Sequence, residues 1–222
     1  MIVRVGTAPR ARGLGYAEFQ EHWRTEHGAL AGSLPGLRGY VQNHAVLDGG
    51  RPLLPYVGFD ACSELEFDSL AAMDEAFASE HYRREVAADE QALIDKTRFA
   101  MLLAERRVLA DAEPPPGAVK LLTFLPLDPR SSRERLAAVL AGPYREAVGQ
   151  AAPVRHEQLL ELPGAHEGRL AALWPAVDVL WFASVEAALE ALVGEAGQRA
   201  AYELAGASLA PARLLATPIR VV

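Results

Sequence analysis

The chain has little covalent hardware. It holds one cysteine, Cys62, so no disulfide can form within it, and the expected compartment is a reducing one. Cys62 reads as a small strand residue, because nothing near it in sequence marks a nucleophile. There is no cluster of basic residues and the net charge is −7, which argues against nucleic acid or an anionic membrane as partner. No apolar run is long enough for a membrane span, and Met1 leads straight into the strand-like IVRV; a cytoplasmic location is expected. A glycine-rich phosphate loop is also missing, so no nicotinamide or flavin nucleotide is expected. No cofactor is expected, with haem the less favoured alternative. Lysine is scarce beside arginine, which reads as compositional bias.

What is present is a large apolar reserve: 50% of the 222 residues are hydrophobic, ample for one large core or two small ones. The segment Tyr16 to Leu34 organises the first half. Tyr16, Phe19, Trp23, His27, Leu30 and Leu34 recur at steps of three and four, so they share one face of a helix. Glycines precede it, and Gly32, Pro35 and Gly36 end it. His27 therefore lies in an apolar stripe, either as a core histidine satisfied by backbone or as a general acid/base at a cavity edge. His22, Glu26 and His27 do not suit a metal. Residues five apart on an α-helix are turned by roughly 140°, whereas paired zinc histidines sit four apart. No metal is expected.

Along the chain, Ile2 to Thr7 reads as a strand, followed by the helix. Leu37 to Leu47 and Tyr56 to Phe67 read as strands, Leu70 to Ala78 and Tyr82 to Asp95 as helices, and Phe99 to Leu109 as a strand. Asp68 and Ser69 can cap the Leu70 helix. The order is that of the split βαβ, ferredoxin-like unit. The segment DAEPPPG, residues 111–117, cannot continue helix or sheet and reads as a linker. The order then repeats: strands at Val119 to Leu125, Val154 to Leu162, Val177 to Ala183 and Arg213 to Val222, and helices at Ser132 to Gly149 and Val185 to Leu204, with Gly142-Pro143 a possible break. EFDSLAAMDEAF in the first half corresponds to WFASVEAALEAL in the second. The fold class is thus α+β: two tandem ferredoxin-like domains, residues 1–110 and 118–222, with α+β barrel packing. The second copy keeps no Trp or His at the matching helix positions, and His156 and His166 read as structural or exposed. Any chemistry is expected in the first copy.

The combination of F-Q-E-H-W-x-x-x-H-G-x-L from Phe19, P-G-L-R-G-Y-V-Q-N-H from Pro35 and F-D-A-C-S-E-L-E-F-D-S-L from Phe59 resembles the EthD family of dimeric α+β barrel proteins. The resemblance runs from about Phe19 to Leu109. It implies a barrel closed either within one chain or between two, hence a possible homodimer. It also implies one of several activities: cofactor-free monooxygenase, polyketide-type cyclase or decarboxylase, or isomerase. EthD itself is associated with oxidative ether breakdown.

Alternation puts Arg38, Tyr40, Gln42 and His44 on one face of the second strand, and Tyr56, Asp60 and Glu64 on one face of the third. The apolar faces should pack beneath the helices and the polar set should point into the barrel, with Trp23 lining a pocket. His44 or His27 would transfer protons, Asp60 or Glu64 would orient or act as base, and Tyr40 and Tyr56 would donate to a substrate oxygen, with Arg38 and Gln42 among the binding groups. The plainer alternatives are tyrosines that only pack and carboxylates paired with Arg38 or Arg98. His81 reads as a cap or surface residue. These residues suggest an enzyme moving protons on a small apolar or aromatic molecule. The alternative is a non-catalytic binding or accessory protein for a hydrophobic metabolite.

Overall fold

A computed structural model describes residues 1–222. The chain divides into two compact units. The first comprises Met1–Glu105, Glu161–Ala172 and Pro218–Val222; the second comprises Arg106–Leu160 and Leu173–Thr217.

The first unit holds β1 (Ile2–Ala8), α1 (Tyr16–His22), a π-helical segment (Trp23–His27), α2 (Gly28–Gly32), β2 (Leu37–Ala45), β3 (Ala61–Phe67), α3 (Leu70–Ala78), a second π-helical segment (Tyr82–Val86), α4 (Ala87–Leu93) and the start of β4 (Ala100–Asp111). The strands are antiparallel in the order β4-β1-β3-β2, which is the ferredoxin-like order. Register is fixed by Arg4 opposite both Leu65 and Leu103, and by Val41 opposite Glu64. The helices cover one face of this sheet. Their core includes Ala31, Leu34, Met73, Ala76 and Val86, packed on Ile2, Tyr40, Leu65, Phe67 and Leu103. A satellite core gathers Phe19, Trp23, Ala61 and Leu93. Ser69 caps α3 by accepting from the Ala72 amide at 3.1 Å, while its neighbour Asp68 pairs with Arg38.

Two expected elements differ. The third strand begins at Ala61, not Tyr56, because Pro55 lacks an amide hydrogen and Gly58 turns the chain at φ +94°. The single helix expected from Tyr16 to Leu34 is two α-helices joined through five π-helical residues.

The second unit repeats the plan with the rest of β4, β5 (Val119–Leu125), α5 (Arg133–Ala141), α6 (Pro143–Gly149), β6 (Arg155–Glu161), β7 (Ala176–Phe182), α7 (Val185–Val193), α8 (Glu195–Leu204) and β8 (Ala212–Arg220). Its strand order is β8-β5-β7-β6. Ser184 caps α7 as Ser69 caps α3, which explains the matching twelve-residue stretches. The helix expected from Ser132 to Gly149 breaks at Gly142, and Pro143 starts α6, where its missing amide hydrogen costs nothing. No helix of the protein is long and apolar enough to cross a membrane.

Candidate active site

The site of the first unit begins with the π-helical segment. A π turn adds a residue to the helical repeat, so side chains five apart approach one another instead of diverging. His22 and His27 consequently reach one carboxylate. His22 Nε2 lies 2.6 Å from Asp89 Oδ1 and His27 Nδ1 lies 2.8 Å from Asp89 Oδ2. Burial raises the pKa of Asp89, but the hydrogen bonds from His27 and His22 outweigh it and hold the carboxyl below its ordinary value. An ionised carboxylate only accepts, so both histidines donate to it. His27 then carries its hydrogen on Nδ1, and Nε2 is left with no hydrogen bond from the protein. The α-helical angle expected between these histidines does not hold across the π turn, and both reach Asp89. No group of three or more His, Cys, Asp or Glu side chains is placed to hold a metal ion.

Strand β2 holds the bulge in place. Gln42 Nε2 donates to the Trp23 carbonyl at 2.6 Å and to the Tyr40 hydroxyl at 2.9 Å. Its Oε1 accepts from His44 Nε2 at 2.9 Å, and the His44 ring lies 4.5 Å from that of Trp23. Gly28 makes room for this: a Cβ there would meet Gln42 Nε2 at 3.3 Å and the Trp23 oxygen at 3.4 Å. Burial, with Arg24 adding to it, pushes the His44 pKa down to about 4, and burial pushes Tyr40 up to about 12. Both are neutral near pH 7.

Between helices and sheet lies a cavity of about 50 Å³, whose wall includes Arg4, Trp23, His27, Tyr40, Phe77 and Glu90. Room of that size holds about three or four waters, roughly the bulk of one aromatic ring. Arg4 projects from β1 with its guanidinium over the rings of Phe77 (4.3 Å) and Phe99 (5.1 Å). Glu90 accepts from Lys96 Nζ at 2.6 Å and from the Tyr82 hydroxyl at 3.0 Å.

Of the residues expected at a site, Trp23, His27 and Tyr40 line this cavity, and Gln42 and His44 brace it from behind. The face assignment of β2 is corrected. Tyr40, Gln42 and His44 pack under the helices, because Val41, not Tyr40, shares a face with Glu64. On the opposite face of the sheet the buried Glu64 accepts from Asn43 Nδ2 at 2.9 Å, so Asn43 bonds a side chain as well as backbone. Asp60 is buried in the loop before β3, where it accepts from Arg10 at 2.6 Å and from the Tyr56 hydroxyl at 3.0 Å. Tyr56 itself is 48% exposed. Arg38 is exposed and paired with Asp68. Arg38, Tyr56, Asp60 and Glu64 are thus absent from the wall. His81 is half-buried on the Leu30 carbonyl at 2.8 Å.

Three wall or bracing residues escaped the sequence reading. Arg4 could have been noticed as the one charge in an otherwise apolar strand. Asp89 and Glu90 could not, since AADEQAL reads as an ordinary solvated helix turn.

In the second unit His156 is buried and hydrogen-bonded, in keeping with a structural residue. Asp178, fully buried, accepts from His156 Nε2 at 2.7 Å, from the Tyr144 hydroxyl at 2.9 Å and from Gln158 Nε2 at 3.3 Å. Gln158 also donates to the Leu140 carbonyl at 3.1 Å, the counterpart of Gln42 on Trp23. His166, which belongs to the first unit, accepts at Nε2 from the Leu103 amide of that unit at 3.0 Å.

Comparison with solved structures finds the same fold across nearly the whole chain. An anthrone oxidase-like protein matches at 13% identity with a TM-score of 0.66, covering 99% of this chain and 93% of that one. A candidate monooxygenase from Fusobacterium nucleatum subsp. nucleatum matches at 8% identity and TM-score 0.62, covering 98% and 91%. A mutant chlorite dismutase from Candidatus Nitrospira defluvii matches at 10% identity and TM-score 0.58, covering 99% and 92%. At such identities the likeness is one of fold. No curated protein matches the sequence. Residues 11–97, the stretch that contributes α1, both π-helical segments, β2, β3 and the Asp89 helix, match the EthD domain family.

Proposed function

We propose that the first unit is the catalytic centre of an oxidoreductase-type enzyme that takes a proton from a small aromatic or enolisable substrate. The observation that carries this reading is the His27–Asp89 pair: Asp89 fixes the Nδ1–H tautomer and leaves Nε2 free to accept, on a residue that lines the cavity. A carboxylate that orients an imidazole and steadies its protonated form is the usual arrangement of a general base. Trp23 and Tyr40 give the cavity an aromatic floor, and Tyr40, keeping its proton near pH 7, is a donor in reach of a substrate oxygen. Proton removal leaves an enolate or phenolate. That anion can react with dioxygen in a monooxygenase-type step, or it can cyclise or lose carbon dioxide, as in the polyketide-type alternative. The fold shared with an anthrone oxidase-like protein supports the first route.

The test compares wild type with His27→Gln and Asp89→Asn on a panel of single-ring phenols, measuring oxygen uptake and product. His27→Gln should lower kcat by roughly 10²- to 10⁴-fold, the range of acid–base residues, while ligand affinity changes little. Binding by wild type with no turnover of any compound would favour the reading as a binding or accessory protein.

A further inference from the structure

Resting on that reading of the cavity, we infer that its substrate is bound as an anion whose oxygen, phenolate or enolate, is received by Arg4. Arg4 lies outside the matched residues 11–97, on β1. It is half-buried and makes no ion pair: its only close partners are the faces of Phe77 and Phe99. Arginine cannot shed its proton to escape burial, and ring faces return only part of the lost hydration. Burial accordingly lowers the pKa of Arg4, with the field of Glu90 acting the other way.

The acids of the same helix are engaged elsewhere. Glu90, in the wall, is held by Lys96 and Tyr82, and Asp89 by two histidines. The backbone also yields to the guanidinium, since a Cβ on Gly6 would meet Arg4 Nη1 at 3.1 Å. A walled space in which a cation has no salt-bridge partner, the one wall carboxylate being held by Lys96 and Tyr82, is complementary to an anion.

The base and the cation border one cavity, and this couples them. When His27 Nε2 takes the proton, a substrate O–H or C–H bond breaks and an N–H bond forms. The electron pair stays on the substrate, and its negative charge faces Arg4 while the positive charge of His27 faces Asp89. The cavity volume limits the ligand to about one ring.

The experiment uses 4-nitrophenol, which absorbs in the visible only as its anion, and nitrobenzene, which has the same outline and no acid. Wild type is titrated with 4-nitrophenol at a pH where the free probe is mostly protonated. The expected result is growth of the anion band, equivalent to roughly tenfold or greater preference for the phenolate, the scale of a charge-assisted hydrogen bond. Arg4→Met should bind nitrobenzene within about threefold of wild type yet lose the anion preference, and Arg4→Lys should keep part of it.

The inference is overturned if wild type binds the probe in its neutral form, if it binds neither probe, or if Arg4→Met retains the anion band. Should Arg4→Met fail to fold, the wild-type spectrum and Arg4→Lys decide. His27→Gln separates this inference from the reading it rests on. Loss of turnover with a retained anion band supports both. Unchanged turnover with the band retained defeats only the base assignment, and His27-dependent turnover with a neutral bound probe defeats only the anion assignment.

Discussion

His44 shows how one buried side chain can set the acid limit of a fold. It is neutral in the native protein because burial, helped by the nearby Arg24, lowers its pKa from 6.5 to about 4. The unfolded chain takes up this proton as pH falls through 6.5, and the folded chain does not until about pH 4. Between those values the unfolded state binds more protons, so stability rises with pH, and on acidification it is lost by up to about 3 kcal/mol. Urea midpoints measured from pH 7 to pH 4 should fall accordingly. His44→Gln, which can still donate to Gln42 Oε1 but does not titrate, should flatten that slope. An equal slope in the variant would assign the acid sensitivity elsewhere. The carboxylate Asp89 acts in a lower window: its depressed pKa contributes stability above the ordinary carboxylate range, lost as pH falls through the native value.

At the scale of the element, the π-helical segment is what brings His22 and His27 to one carboxylate. In a regular α-helix His22 and His27 would point roughly 140° apart, and only one could meet Asp89. Deleting the exposed Thr25 should return the segment to the α-helical repeat with His22 and His27 four apart, the spacing at which α-helical side chains share a face. Both should then still reach Asp89, and turnover and far-ultraviolet circular dichroism should stay near those of wild type. Loss of turnover in the deletion variant would show that the bulge does more than compensate for the five-residue spacing. This is where the sequence was least informative. The three- and four-residue spacing placed Trp23 and His27 correctly on the buried face, yet nothing in YAEFQEHWRTEHG marks where the repeat lengthens. Asp89 was invisible for a related reason, because its partner lies more than sixty residues away and its own turn reads as solvated. Alternation also showed that Tyr40, Gln42 and His44 share a face. Which face the helices cover depends on pairing between strands, and that is a non-local fact. Polar side chains can lie under a helical layer when the layer supplies acceptors, and here the Trp23 carbonyl does so.

At the scale of the molecule, the two units make different uses of the polar groups beneath their helices. The matched cap sequences of α3 and α7 were legible, because caps are local. The contrast between the units was only half legible. The second unit lacks the Trp and His of the first helix, but beneath its helices it carries a buried polar network centred on Asp178 rather than apolar filling. Asp178 takes three hydrogen bonds, and Asp178, Tyr144, His156 and Gln158 are all nearly or fully buried. Such a network is satisfied only as a whole. Asp178→Asn would turn an amide group toward donors that need an acceptor, leaving Tyr144 or His156 unpaired in a place water does not reach. A loss of about 2–4 kcal/mol in unfolding free energy is expected from a buried, charge-assisted cluster broken on one side. In the first unit, by contrast, Arg4 makes no ion pair and His27 Nε2 no hydrogen bond within the protein, so Arg4→Met and His27→Gln should cost less stability than Asp178→Asn and far more function. Chemical denaturation and turnover per folded molecule, measured on all three variants, would reverse in rank if the second unit, rather than the first, held the reactive groups.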